Sequence, residues 1–90
     1  MKLNLDKNVL DLRGNPLDDK LNEILANVLA MSTIGPPAKM ITWAVNLINY
    51  GEIEVTKSDI SFLTELIIHT DKIVNLAKAQ LLEELEKLKE

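Results

Sequence analysis

Four stretches of this sequence place apolar side chains three and four residues apart, the spacing that puts them on one face of an α-helix. The predicted helices cover about 18–30, 36–50, 57–69 and 71–90. Each of them has an apolar face that must be covered, so the pattern favours a fold in which helices pack on one another.

Capping signals mark the boundaries of the first two helices. Asp18 or Asp19 is expected to cap the first helix, where its charge would favour the helix dipole. Pro36 suits the first turn of the second helix, because the N–H that proline lacks would have no partner there. Gly51 is expected to end that helix in the left-handed conformation. The predicted apolar face of the second helix consists of Met40, Ile41, Ala44, Val45, Leu47 and Ile48.

The third and fourth helices follow directly. Thr56 with Asp59 three residues later predicts a carboxylate form of the capping box. The helix that follows is apolar nearly all round, which predicts burial on more than one side. The pair Thr70–Asp71 is expected to end it and to cap the last helix. The stripe of that last helix, which packs on a helix of its own chain or of a neighbour, consists of Val74, Ala77, Leu81, Leu85 and Leu88.

Two segments alternate apolar and polar residues and are therefore predicted strands. Within residues 1–16, Leu3 and Leu5 are separated by a polar residue, and a glycine turn follows. Residues 52–55 alternate strictly. The predicted fold class is therefore α+β, predominantly α: about four helices with a small two- or three-stranded β element from the N-terminus and residues 52–55. All of residues 1–90 form a single predicted domain.

Composition excludes several classes of function. There is no cysteine and only one histidine, so disulfide scaffolds, thiolate metal sites and cysteine catalysis are excluded. A net charge of −4 makes nucleic acid an unfavourable partner. No apolar run approaches the roughly 20 residues of a membrane span, and Asp6 interrupts any signal sequence. We expect a cytoplasmic protein that is not an enzyme, with no metal, no cofactor and no membrane partner.

Hydrophobic residues make up 47% of the chain, more than a small core uses. A subunit interface is the commonest place for such a surplus. The sequence therefore predicts a homo-oligomer, a dimer or larger.

One cluster of residues suggests a ligand site. Lys39 lies in the first turn of the second helix, and Trp43, four residues on, is expected on the same face. Phosphate on the helix N-terminus and Lys39, with a base stacked on Trp43, would form a nucleotide site. Tyr50 and Arg13 complete the predicted ligand-binding set. Arg13 would either complete the pocket across a subunit boundary or lie exposed. The alternative is that Trp43 and Tyr50 cover the edge of the core or fill an interface.

The order of these elements resembles a group of small tailed-bacteriophage and prophage proteins. The resemblance rests on the strand and turn Leu10–Leu17, the helix Leu21–Ala30, the aromatic-bearing helix Trp43–Tyr50 and the strand Gly51–Val55 before the cap at Thr56. It covers most of the chain and carries no catalytic signature. The group is largely uncharacterised, so the resemblance implies a viral origin and little about mechanism.

These observations lead to two hypotheses. The first is a non-enzymatic phage protein that homo-oligomerises and antagonises a host factor, by sequestering a nucleotide-derived defence signal or by blocking a host protein. The second is a small phage structural or assembly protein whose oligomer is its function.

Overall fold

A computed structural model describes residues 1–89 of the chain. The elements in chain order are β1 (Lys2–Asn4), β2 (Asn8–Leu10), β3 (Pro16–Lys20), α1 (Leu21–Met31), α2 (Pro37–Tyr50), β4 (Glu52–Glu54), α3 (Lys57–His69) and α4 (Asn75–Lys87). Four helices and two small antiparallel sheets confirm the predicted α+β class with helices dominant.

The β structure consists of two separate pairs of strands. β1 pairs antiparallel with β4, with Leu3 opposite Ile53, which confirms that the N-terminal strand joins residues 52–55. β2 pairs antiparallel with β3, and Asn8 lies opposite Lys20. The prediction of one element with two or three strands therefore becomes four strands in two sheets.

The start predicted for the first helix was wrong. Residues 16–20 form β3, and α1 begins at Leu21 with Lys20 as its N-cap, so Asp18 and Asp19 lie exposed on a strand. The physical reason is long-range pairing. β2 supplies backbone partners to this segment, and the Asn8 side chain donates to the carbonyl of Leu17 at 2.6 Å.

The start predicted for the last helix was also wrong. α3 ends with Thr70 as its C-cap, and α4 begins only at Asn75, with Val74 as its N-cap. The three residues between these caps form a non-helical connection. This connection buries Ile73 in the core, which gives a packing reason for interrupting the helix here.

The core is one cluster that includes side chains from every helix and from β1, β2 and β4. The prediction that α3 is buried on more than one side agrees with its inward residues, which are Asp59, Ile60, Leu63, Leu66 and Ile67. On α4, the stripe is buried at Ala77, Leu81 and Leu85, whereas Val74 is exposed.

The predicted apolar face of α2 was half wrong. Met40, Ala44 and Leu47 are buried as predicted, but Trp43 joins them in the core. Ile41, Val45 and Ile48 are exposed. α2 is apolar over more than one face, and burying the indole gains the largest apolar area, so the aliphatic face is left outside.

The end of α2 has a strict steric requirement. Gly51 has a φ of 73° and donates its N–H to the carbonyl of Leu47 at 2.9 Å, so it ends the helix in the left-handed conformation as predicted. A Cβ at this position would lie 2.5 Å from the Cβ of Asp6. Both the positive φ and this close approach require glycine.

The packing of α1 gives a first prediction. Replacing the buried Leu29 by alanine removes core methyl groups and leaves a cavity, so the free energy of unfolding should fall by about 3 kcal/mol. Met31→Ala in the same helix is the matched control, because this side chain is exposed and its loss should change stability by less than about 0.5 kcal/mol. Urea denaturation followed by circular dichroism measures both. Equal effects of the two substitutions would contradict the packing described here.

Candidate functional site

The predicted neighbours Lys39 and Trp43 do share a face of α2. The Lys39 ammonium lies 4.9 Å from the centroid of the indole ring, within cation–π range. The same ammonium donates to the Asp59 carboxylate at 2.6 Å. Because Asp59 lies on α3, this ion pair joins the N-terminal turns of the two helices.

Asp59 also makes two hydrogen bonds with Thr56 at the start of its own helix. One of its carboxylate oxygens accepts the N–H of Thr56 at 2.8 Å, and the Thr56 hydroxyl accepts the N–H of Asp59 at 3.2 Å, so the predicted capping box is present. Burial acts to raise the pKa of Asp59. The Lys39 hydrogen bond and the two with Thr56 outweigh it, so the pKa lies below its ordinary value.

The structure does not bring the four predicted ligand-binding residues into one site. Trp43 is only 6% exposed, so its ring is part of the core. Tyr50 is 72% exposed and lies about 10 Å further along the axis of α2. Arg13 is exposed in the turn between β2 and β3. Lys39 and Trp43 are thus in contact, with the Lys39 charge balanced by Asp59, while the side chains of Tyr50 and Arg13 are exposed elsewhere on the surface.

Sequence reasoning missed a surface cleft of about 550 Å³ between the C-terminal half of α1 and the C-terminal half of α3, hereafter the α1–α3 cleft. Glu65 and His69 lie on its rim, with 3.1 Å between the carboxylate and the imidazole. The i,i+4 spacing of this pair was the available sequence signal. The lining residues are Val28, Met31, Ser32, Thr33, Ile34, Phe62, Glu65, Leu66, His69, Thr70, Asp71 and Lys72.

A second cleft, of about 400 Å³, runs between α1 and α2. The exposed side chains of Ile41, Val45 and Ile48 form a ridge along it, hereafter the α2 ridge, and alanines of both helices form its floor. None of its lining residues is charged; they are Ala26, Asn27, Ala30, Ile41, Ala44, Val45, Ile48 and Asn49. Depletion of charge in an apolar patch is typical of the centre of a protein interface.

Two further features are absent from residues 1–89. No three acidic or imidazole side chains converge closely enough to hold a metal ion. No helix in this part of the chain has the length and apolar character needed to cross a membrane.

Comparison with known proteins found no matching family model, no matching curated protein and no matching solved structure.

The Asp59 network gives a pH-dependent prediction. Because folding lowers the pKa of Asp59 from its ordinary value of 3.8, the ionised carboxylate stabilises the fold above that value and loses its contribution as the pH falls through the folded pKa. Asp59→Ala should lower the free energy of unfolding by about 1–2 kcal/mol at pH 7. The difference from the unsubstituted chain should shrink steadily as the pH falls below about 4.

Urea denaturation at a series of pH values measures this difference. Asp71→Ala is the matched control, since Asp71 is exposed and its substitution should change stability by less than about 0.5 kcal/mol. A cost of Asp59→Ala that stays constant down to pH 2 would contradict the role given to the carboxylate.

Proposed function

We propose that this protein is a non-enzymatic, phage-type binding protein that associates with copies of itself. The observation that carries the proposal is the α2 ridge with its alanine-lined groove. An apolar, charge-free strip exposed along a helix is costly in water unless another surface covers it. Part of the surplus of apolar residues in the sequence lies exposed here, on a helix whose other apolar face is already buried in the core.

The absence of charge favours a second copy of this chain as the covering surface. A two-fold axis places a patch against its own copy, so any net charge on the patch would repel itself. The lining of the α1–α2 cleft carries none. A ridge of larger side chains also runs beside a groove of alanines, so each copy offers both the projecting and the receiving surface.

The phage origin in this proposal comes from the resemblance in the order of elements. Antagonism of a host factor in the host cytoplasm is the role we propose for a phage protein that binds and carries no catalytic signature. The geometry favours a direct protein contact over sequestration of a nucleotide. The Lys39 ammonium already faces the Asp59 carboxylate, so a phosphate would have to compete with that pair. Trp43 is buried and leaves little ring face for a base to stack on.

An assembly function is the second candidate, and the α2 ridge favours it too, because an oligomer formed through that face could itself be the working part. The two functions differ in where the protein is found. An assembly protein is present at high copy in virions or in their assembly intermediates. An antagonist is bound to a host component and absent from the particle.

The first test of the proposal is the oligomeric state. The wild-type chain should be a dimer or larger, and Val45→Asp should produce single chains at low micromolar concentration, because it places a charge in the middle of the α2 ridge. Val74→Asp is the matched control. Val74 is also an exposed valine but lies at the start of α4, where aspartate is a favourable cap.

Sedimentation equilibrium measures the mass of all three chains. Dissociation by Val45→Asp with an unchanged control supports the ridge as the interface. A wild-type chain that stays single at all concentrations would overturn self-association through this face.

The second test asks what the oligomer binds. Native mass spectrometry of protein purified gently from bacterial host cells should show a stoichiometric added mass. An added mass of protein size supports the blocking of a host protein. An added mass of nucleotide size that is lost on heating would show that sequestration is correct and the protein-contact form wrong. A bare oligomer shifts the assignment to assembly.

A further inference from the structure

The turn between β2 and β3 presents a leucine to solvent without any covering residue. Leu12 is 94% exposed, the highest value of any large hydrophobic side chain among residues 1–89. Arg13 follows it and is also exposed, and no carboxylate of the described residues lies within ion-pair distance of its guanidinium. An apolar anchor beside a free cation is the kind of pair that dominates protein interfaces.

Residues 11–15, which form the turn between β2 and β3 and are hereafter called the hairpin tip, are held in place by hydrogen bonds. The Asp11 carboxylate accepts the backbone N–H of Arg13 at 2.8 Å and that of Asn15 at 2.9 Å. The hydrogen bond from Asn15, followed by the one from Arg13, holds the pKa of Asp11 below its ordinary value. Gly14 turns the chain with a φ of 86° and donates to the Asp11 carbonyl at 3.0 Å. The turn therefore presents Leu12 and Arg13 in one fixed arrangement.

α4 also holds the β2–β3 hairpin in place through hydrogen bonds between Gln80 and Leu10. The Gln80 side chain accepts the N–H of Leu10 at 2.9 Å and donates to the carbonyl of the same residue at 2.8 Å. One amide side chain thus satisfies both backbone groups of a strand residue, as a neighbouring strand would. A tip fixed in this way loses little conformational entropy when it binds, so more of its contact energy appears as affinity.

The α1–α3 cleft has the chemistry to receive this tip. Its floor is apolar, with Val28 and Leu66 buried and Phe62 half-buried. Its rim carries the carboxylates of Glu65 and Asp71, which complement a guanidinium. Lys72 and His69 stand on the same rim, and the His69 imidazole faces Glu65. The two carboxylates outnumber the single lysine ammonium on this rim.

We propose that the hairpin tip of one chain docks in the α1–α3 cleft of a second copy, with Leu12 on the apolar floor and Arg13 at the acidic rim. A second copy is the occupant because the matching surface, apolar and rimmed by carboxylates, is present on this same chain. The nearly complete exposure of Leu12 shows that the tip does not fill the cleft of its own chain.

This contact joins two different surfaces, so it is head-to-tail and repeats from copy to copy until a ring closes or a chain of subunits grows. It uses no residue of the α2 ridge. The inference is therefore independent of the interface proposed above, and the two can fail separately.

Disulfide trapping tests the contact directly, because the chain contains no cysteine of its own. Two purified chains are mixed under oxidising conditions, one with Leu12→Cys and one with Thr70→Cys, which places a thiol in the cleft. Both also carry Val45→Asp to remove the ridge interface. The mixed disulfide should form about tenfold faster than with a Val74→Cys partner, whose thiol is exposed but outside the cleft.

A charge exchange supplies the second measurement. Adding Arg13→Glu to the Leu12→Cys chain should slow the cross-link about tenfold, and adding Asp71→Lys to the Thr70→Cys chain should restore much of the rate. Lys57→Glu in place of Arg13→Glu is the matched control and should leave the rate unchanged, since Lys57 is exposed at the start of α3 and does not line the cleft.

Three results would overturn the proposal. The first is an equal cross-linking rate with the Thr70→Cys and Val74→Cys partners. The second is a cross-linking rate that Arg13→Glu does not change. The third is a cross-link that forms in the wild-type background and disappears with Val45→Asp, because the tip would then meet the cleft only inside the ridge dimer. Thermal melting of each variant confirms that the chains compared are folded.

Discussion

The carbonyl of Leu47 holds the fold together at the point where its distant segments meet. It accepts the side-chain N–H of Asn22 at 2.8 Å and the N–H of Gly51 at 2.9 Å. Leu5 joins the same junction, donating to the carbonyl of Gly51 and accepting the N–H of Asn22. The start of α1, the end of α2 and the strand pair β1–β4 are therefore positioned by one small set of buried hydrogen bonds, which cost free energy if left unmade.

The burial of Trp43 determines which surface α2 offers to other molecules. A helix with apolar residues over more than one face cannot bury all of them against a single core. With the indole inward and Lys39 held between it and Asp59, Ile41, Val45 and Ile48 face water. The same packing that removes Trp43 from a ligand site thus creates the ridge on which the proposed self-association depends.

The sequence predicted much of the fold because apolar periodicity marks the helices and local capping signals decide the end of α2 and the start of α3. Gly51 and the Thr56–Asp59 capping box act within a few residues, and both lie where they were predicted. β3 and the late start of α4 could not be predicted in this way, since a strand partner and the burial of Ile73 depend on tertiary contacts. For the candidate site, i,i+4 spacing predicted the contact of Lys39 with Trp43. The Asp59 partner of Lys39 lies on another helix, and the α1–α3 cleft joins segments far apart in sequence. Apart from the i,i+4 spacing of Glu65 and His69, no local pattern indicates them.

The attachment of the N-terminal hairpin to α4 also affects the order in which the chain folds. β1 needs β4 as its partner, Leu10 is held by Gln80, and Lys7 pairs with Glu84 at 2.9 Å. On the ribosome, this segment emerges before α4, so its contacts with Gln80 and Glu84 cannot form until α4 has been made. Loop closure over such sequence separations is slow compared with helix formation. The helices should therefore assemble first, and the β2–β3 hairpin, whose turn carries Leu12 and Arg13, should be the last part of the molecule to dock on α4.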